Sequence, residues 1–274
     1  MTRLERAVRT LRRRLPRDAE SAWARRFEPT YAWLLDSVYG RRGLPRRLCG
    51  EEVVRIRPAF RALQDDREPT VFAALRRLVR PGMIVFDVGA SFGEYAVVLA
   101  RWCGPEGRVV AFEPTPISRA ALRDHLELNG LVDRVEIVDA AIADYVGTGT
   151  LHAAGRSGEN TLHPSYFGPG EAEDVSVPVT TIDAHCQVSG RTPDVIKLDV
   201  EGLEFHALRG ARATLLRRRP PVVVELHAAS WAGVGESAER AEALVRELGY
   251  RAIALDGQRT ALRQSGHVLL EPDA

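Results

Sequence analysis

Met83–Cys103 reads MIVFDVGASFGEYAVVLARWC. Its opening, MIVFDVG, is an apolar run broken by one acid and closed by glycine, which predicts a buried strand; SFGEYAVVLARWC follows with apolar residues at helical spacing. Glycine therefore marks a turn from strand into helix, the place where doubly wound sheets hold their ligands. Outward from this unit the alternation repeats. RVVAFEP (108–114), VEIVDAAI (135–142), VIKLDVEG (195–202) and PVVVELH (221–227) read as strands. PISRAALRDHLELNG (116–130), LEFHALRGARATLLRRR (203–219) and ESAERAEALVRELG (236–249) read as helices. A further helix is expected over 69–80 and a short strand over 53–57. Strand and helix in turn imply right-handed crossovers and a mostly parallel, doubly wound Rossmann-like α/β sheet. Two strands near 251–255 and 266–270 are expected to pair antiparallel at its edge.

One stretch breaks this rhythm. Residues 144–181 are rich in glycine and proline and carry two short alternating runs where a crossover helix is expected. They read as a β-hairpin and lid inserted into the 51–274 domain, since long irregular insertions in compact domains are usually functional or disordered.

The chain has 274 residues, 45% hydrophobic and 27% charged, a composition that excludes disordered, collagenous and disulfide-scaffold classes. No apolar run approaches the ~20 residues that cross a bilayer, and the start lacks the pattern of a secretory signal. Cys49, Cys103 and Cys186 stand far apart, arguing against disulfides and structural zinc. A reducing cytoplasm is the expected location. The net charge of +1 hides an asymmetry, because residues 1–50 hold 13 arginines against 5 acids. Trp23, Phe27, Tyr31, Trp33, Leu34, Leu35 and Val38 recur there at roughly helical spacing, predicting a basic helical arm over 1–50. Such an arm packs on the domain or on a second copy of the chain, or touches a membrane surface peripherally. No nucleic-acid module is legible.

The chemistry sits at strand ends. Asp87-Val88-Gly89-Ala90-Ser91-Phe92-Gly93 spaces its glycines as G-x-x-x-G, not the G-x-G-x-x-G that lets backbone approach a pyrophosphate. An acid two residues before the first glycine suits the sulfonium and ammonium of S-adenosylmethionine. Glu113 ends the next strand, where a carboxylate can accept both ribose hydroxyls, and Asp139 and Ala140 fall where an adenine would lie. In VIKLDVEG, Lys197, Asp199 and Glu201 alternate and so share one face. Lys197 is also the sole lysine of the sequence, marking a place for a compact ammonium and not a guanidinium. Glu225 and His227 alternate in the same way on the following strand. Asn160 and His163, in the insertion, are candidate substrate contacts. Asp199, Glu225 and His227 on adjacent strand ends offer ligands to a divalent cation such as magnesium.

Together VFDVGASFGEYAVVLA, FEPTP, LELNGL, TTID, IKLDVEGLEFHALRGA and VVVELH resemble the FkbM-type family of S-adenosylmethionine-dependent methyltransferases, over residues 66–257. The resemblance implies a class I methyltransferase fold and O-methylation of hydroxyls on sugars, glycolipids or polyketide-type products. It places Asp87, Gly89 and Gly93 (with Ala90 between) at the methionine end of the cofactor and Glu113 at the ribose. Lys197, Asp199, Glu201, Glu225 and His227 would face the acceptor. Asp199 is the expected base, oriented by Lys197; His227, with an ordinary pKa near 6.5, is the second choice. The competing classes are a nucleotide-dependent oxidoreductase, disfavoured by the glycine spacing, and a silent adenosyl-binding scaffold, which would have no need of the charged strand end.

Overall fold

The computed structural model describes residues 30, 33–48, 52–60, 68–153, 160–162, 173–255, 262 and 264–273. After helical residues 33–39 come β1 (Leu44–Leu48) and β2 (Glu52–Ile56), then α1 (Pro69–Leu78), β3 (Ile84–Val88), α2 (Glu94–Cys103), β4 (Arg108–Phe112), α3 (Pro116–Asn129) and β5 (Val135–Val138). The insertion supplies β6 (Ala141–Ile142), β7 (Gly147–Ala153), β8 (Asn160–Thr161) and β9 (Glu173–Thr180). The chain continues through α4 (Ile182–Ser189), β10 (Val195–Leu198), α5 (Glu204–Arg209), α6 (Arg212–Arg218), β11 (Val222–Leu226), α7 (Ala238–Glu247), β12 (Tyr250–Ala254) and β13 (Gly266–Pro272).

Seven strands form the central sheet in the order β12-β13-β11-β10-β3-β4-β5. β5, β4, β3, β10 and β11 run parallel, while β13 is antiparallel to both β11 and β12, inserted between them. Alternate residues of each strand feed opposite faces. Val85, Val109, Val195 and Val223 pack with α1, α2 and α3; Phe86, Val110, Ile196 and Val224 pack with residues of α4, α5, α6 and α7. Each face therefore buries a continuous apolar layer, the dominant favourable term in holding such a sheet together.

Three expectations need correction. The arm is not helical to residue 50: Leu44–Leu48 pairs antiparallel with β2, and Leu44 and Leu48 join the core beside Leu122 and Leu126. Of the arm's apolar residues described, Leu35 is buried, but Trp33 is 68% exposed and Leu34 and Val38 are also exposed. The helix expected over 203–219 breaks into α5 and α6 at Gly210, where any Cβ would overlap the Ala143 carbonyl oxygen. The insertion is followed directly by α4, which the periodicity did not show. Thr181 caps it by accepting the Ala184 N–H at 2.9 Å.

The remainder of the insertion does form the expected hairpin, β7 against β9, within a separate four-stranded sheet ordered β6-β9-β7-β8. It carries a small core of its own, Ala141, Ala143, Leu151, Val177 and Val179, with Leu162 and Val175 packed on it.

Candidate active site

A cavity of about 310 Å³ opens at the C-terminal ends of β3, β4 and β10, walled on one side by Leu151 and residues 160–162 of the insertion. Gly89 and Ala90 line it. Their N–H groups both donate to the Phe112 carbonyl, at 3.1 and 3.0 Å, which folds the glycine loop onto the end of β4. Gly89 has φ +77, and a Cβ there would overlap the Asp199 carbonyl oxygen, so only glycine lets this loop and the end of β10 meet. Gly89→Ala is accordingly expected to lower unfolding stability by about 2–3 kcal/mol through overpacking and backbone strain. A urea titration checks it, and an unchanged midpoint would contradict the close approach.

Lys197 holds the centre. Its Nζ lies 3.2 Å from Asp199 Oδ2, 3.3 Å from the Gly89 carbonyl and 3.8 Å from Asp87 Oδ1, over the Tyr95 ring at 4.9 Å. Burial pushes the ammonium down, but Asp199 and Asp87 outweigh it and hold Lys197 above the ordinary lysine value. Asp87 is fully buried; burial raises its carboxyl to about 6 although Lys197 pulls the other way. It stands behind Lys197 and does not line the cavity. Asp199 does, with Oδ1 buried and without a hydrogen-bond partner among the described residues.

Glu113 lines the cavity as expected. It accepts the Ser91 N–H at 2.9 Å and the Thr115 N–H at 2.8 Å, and also the Thr115 hydroxyl. Burial raises its pKa against those donors. Ala140 lines the cavity too. Asp139 does not: its carboxylate is exposed and paired with Arg119. Gly93 also stays outside the lining, its place fixed by Leu122, which a Cβ would overlap.

His227, the second choice of base, is enclosed by carboxylates. Its Nδ1–H donates to Glu204 at 2.7 Å and its Nε2–H to Glu201 at 3.0 Å. Burial opposes the charge, yet the two carboxylates raise the imidazole to about 11, so at neutral pH both nitrogens carry protons and neither can accept one. Glu204, fully buried, also takes the Gly202 N–H at 2.8 Å and Trp231 Nε1 at 3.2 Å. Neither Asp199 nor Glu201 is on the strand with Lys197; β10 stops at Leu198, and Glu201 sits in the next turn at φ +49. The expected cation ligands are likewise redistributed. Glu225 turns to His267, Oε2 to Nε2 at 3.0 Å, and stays 3.8 Å from His227. Asp199, Glu201 and His227 form one close group; Glu68, Glu225 and His267 form another. His227 donates both ring N–H groups to carboxylates, so a metal held by Asp199, Glu201 and His227 would have to displace a ring proton.

Asn160 lines the cavity, whereas His163 lies outside the described residues. His152 pairs with Asp174 at 2.6 Å on the exposed hairpin. Sequence reasoning missed Glu68, Tyr95, Thr161 and His267. Tyr95 stacks on Phe72 at 4.5 Å between ring centroids and donates its hydroxyl to Glu68, so both line the cavity. Three of the four described non-glycine residues at positive φ, Glu68, Ser91 and Glu201, stand here too, a concentration of strain usual at functional sites.

Comparison with known proteins now bears on this cavity. The family described as the methyltransferase FkbM domain matches residues 87–252. The 2-O-methyltransferase NoeI of Sinorhizobium fredii is 25% identical over 184 residues, 56% of this chain and 69% of that protein. The 31-O-demethyl-FK506 methyltransferase FkbM of Streptomyces tacrolimicus is 39% identical over 69 residues, a match spanning 25% of each protein. Among solved structures, the methyltransferase FkbM of Methylobacillus flagellatus is similar at a TM-score of 0.45 and 19% identity, covering 78% of this chain and 58% of that one. The match of the family over 87–252 takes in the glycine loop, Glu113 and the whole Lys197–His227 array, and on it the chain belongs to the FkbM family of S-adenosylmethionine-dependent methyltransferases.

Proposed function

We propose that this chain is an O-methyltransferase whose acceptor is a hydroxyl of a sugar, glycolipid or polyketide-type product. The observation that carries the reading is Asp199: Lys197 holds one carboxylate oxygen, and the other is buried, unpartnered among the described residues, and beside the glycine loop. An acceptor O–H is the donor that oxygen lacks. The residues present also fit the cofactor. Gly89 and Ala90 leave room at the loop, Glu113 lines the cavity, and Ala140, Ala141 and Ile142 make an apolar wall. S-adenosylmethionine supplies an electrophilic methyl group on a sulfonium. Asp199 orients the acceptor oxygen and takes its proton, while Lys197 keeps the carboxylate fixed. The His227 imidazolium balances Glu201 and Glu204.

The names of the two O-methyltransferase relatives, NoeI and FkbM, favour oxygen as the target. Incubating the chain with S-adenosylmethionine labelled in its methyl group and a panel of hydroxyl-bearing sugars and macrolactones tests the reading. Label in an ether-linked methyl is the expected result, and label found only on nitrogen or carbon overturns it. Glu113→Ala is expected to weaken S-adenosylmethionine binding about 5- to 150-fold, the loss of 1–3 kcal/mol for buried hydrogen bonds to a charged group. Calorimetry reads it directly, and unchanged affinity would remove Glu113 from the ribose site.

A further inference from the structure

β8 is two residues long, yet it brings Thr161 over the turn that follows β10. Thr161 is buried, and its Oγ1 donates to the Glu201 carbonyl oxygen at 2.7 Å. Glu201 is left-handed, φ +49, a conformation that is strained for a residue with a Cβ, so the turn has to be held from outside. From the other side, the Gly202 N–H donates to Glu204 at 2.8 Å. Between these two pins the Glu201 carboxylate reaches His227 Nε2 at 3.0 Å. Thr161 is in turn held by the insertion. Its neighbour Leu162 packs on the small core of Leu151, Val177 and Val179, and Gly149 permits this, because a Cβ there would come within 3.1 Å of Leu162 Cδ1's twin Cδ2 and 2.9 Å of Val179 Cγ2.

We propose that Thr161 is a positioning residue for methyl transfer: its hydroxyl fixes the Glu201 turn and, through Glu201, the orientation of the His227 ring on the cavity wall. The insertion is then more than a cover over the cavity. Its small core sets the geometry of the charged wall, and displacement of β8 is transmitted to His227 through two hydrogen bonds, Thr161 to the Glu201 carbonyl and His227 to the Glu201 carboxylate. The consequence for turnover rests on the methyltransferase reading; the link from Thr161 to His227 does not.

The test separates the two. In the full chain labelled with ¹⁵N-histidine, the His227 ring signals are assigned by their loss in His227→Gln. Thr161→Val, which keeps the volume and removes the donor, is expected to move those signals in the same direction as Glu201→Gln, while Thr161→Ser leaves them on the parent's. Thr161→Ala gives the same readout should the valine variant fail to fold. With an acceptor from the labelled-methyl screen, Thr161→Val is expected to lower kcat about tenfold at an S-adenosylmethionine KM within about twofold of the parent, and Thr161→Ser to restore kcat. His227 signals unchanged in the folded valine or alanine variant overturn the proposal. Failure of the methyltransferase reading looks different: the signals move as expected, and no variant, the parent included, transfers a methyl group.

Discussion

Lys197→Met lowers the unfolding free energy by about 3–5 kcal/mol at pH 8, the usual penalty for leaving a buried charge without its partner. The substitution keeps the stem's volume and removes the ammonium that faces Asp87, Asp199 and the Gly89 carbonyl together. Asp87 is fully buried with the Lys197 ammonium 3.8 Å away, so Lys197 is its compensation. The sign with pH follows from that burial. Asp87 already sits at about 6 with Lys197 present, and without it rises further. A carboxyl raised above its unfolded value favours the fold fully below that value and loses the contribution as pH rises through the folded pKa. The penalty is therefore largest at pH 8 and shrinks toward pH 5, as Asp87 takes up a proton. Lys197→Arg is expected to rescue poorly, since the pocket beneath Tyr95 holds a compact ammonium at 4.9 Å from the ring and leaves a planar guanidinium no slot. Urea titrations at both pH values check this. A methionine variant as stable as the parent, or one equally destabilised at pH 5 and pH 8, contradicts the pairing.

Much of this array was legible because it is local in sequence. Strand periodicity located β3, β4, β10 and β11, and alternation brought Lys197 and Asp199 to one face, as their 3.2 Å contact bears out. The spacing of Gly89 and Glu113 likewise put both at one cavity. Illegible features depend on the tertiary meeting of distant segments. Glu68, at the start of α1, and His267, on β13, converge on Glu225 only because β13 inserts between β11 and β12. The left-handed turn at Glu201 has no sequence signal, since glutamate seldom adopts it. His227 reads as a neutral base in isolation; Glu204, the first residue of α5, and Glu201 make it a cation. Asp139 followed its strand faithfully, but Arg119 lay within reach on α3 and drew it away from the cavity.

Asp199→Asn lowers kcat by about 10²- to 10⁴-fold, the range lost when a positioned general base is removed, with S-adenosylmethionine affinity little changed. The amide matches the carboxylate in shape, so Lys197 keeps a partner oxygen and the glycine loop keeps its contact with the Asp199 backbone. What disappears is an acceptor able to hold the proton. An aliphatic hydroxyl is a weak nucleophile at neutral pH; as the acceptor oxygen gains its methyl group its proton must leave, and Asp199 Oδ1 has no hydrogen-bond partner among the described residues. Were His227 the base, its replacement would cost as much. Held as a cation by Glu201 and Glu204, it is expected to matter less, and His227→Gln should fall short of Asp199→Asn by at least about tenfold. A chelator completes the comparison. Turnover of the parent is expected to persist in it, since Glu225 is engaged with His267 and His227 donates both ring N–H groups to carboxylates. Chelator-sensitive turnover that magnesium restores would give the acidifying role to a cation at Asp199, and near-parent turnover in both variants would move the acceptor away from this strand end altogether.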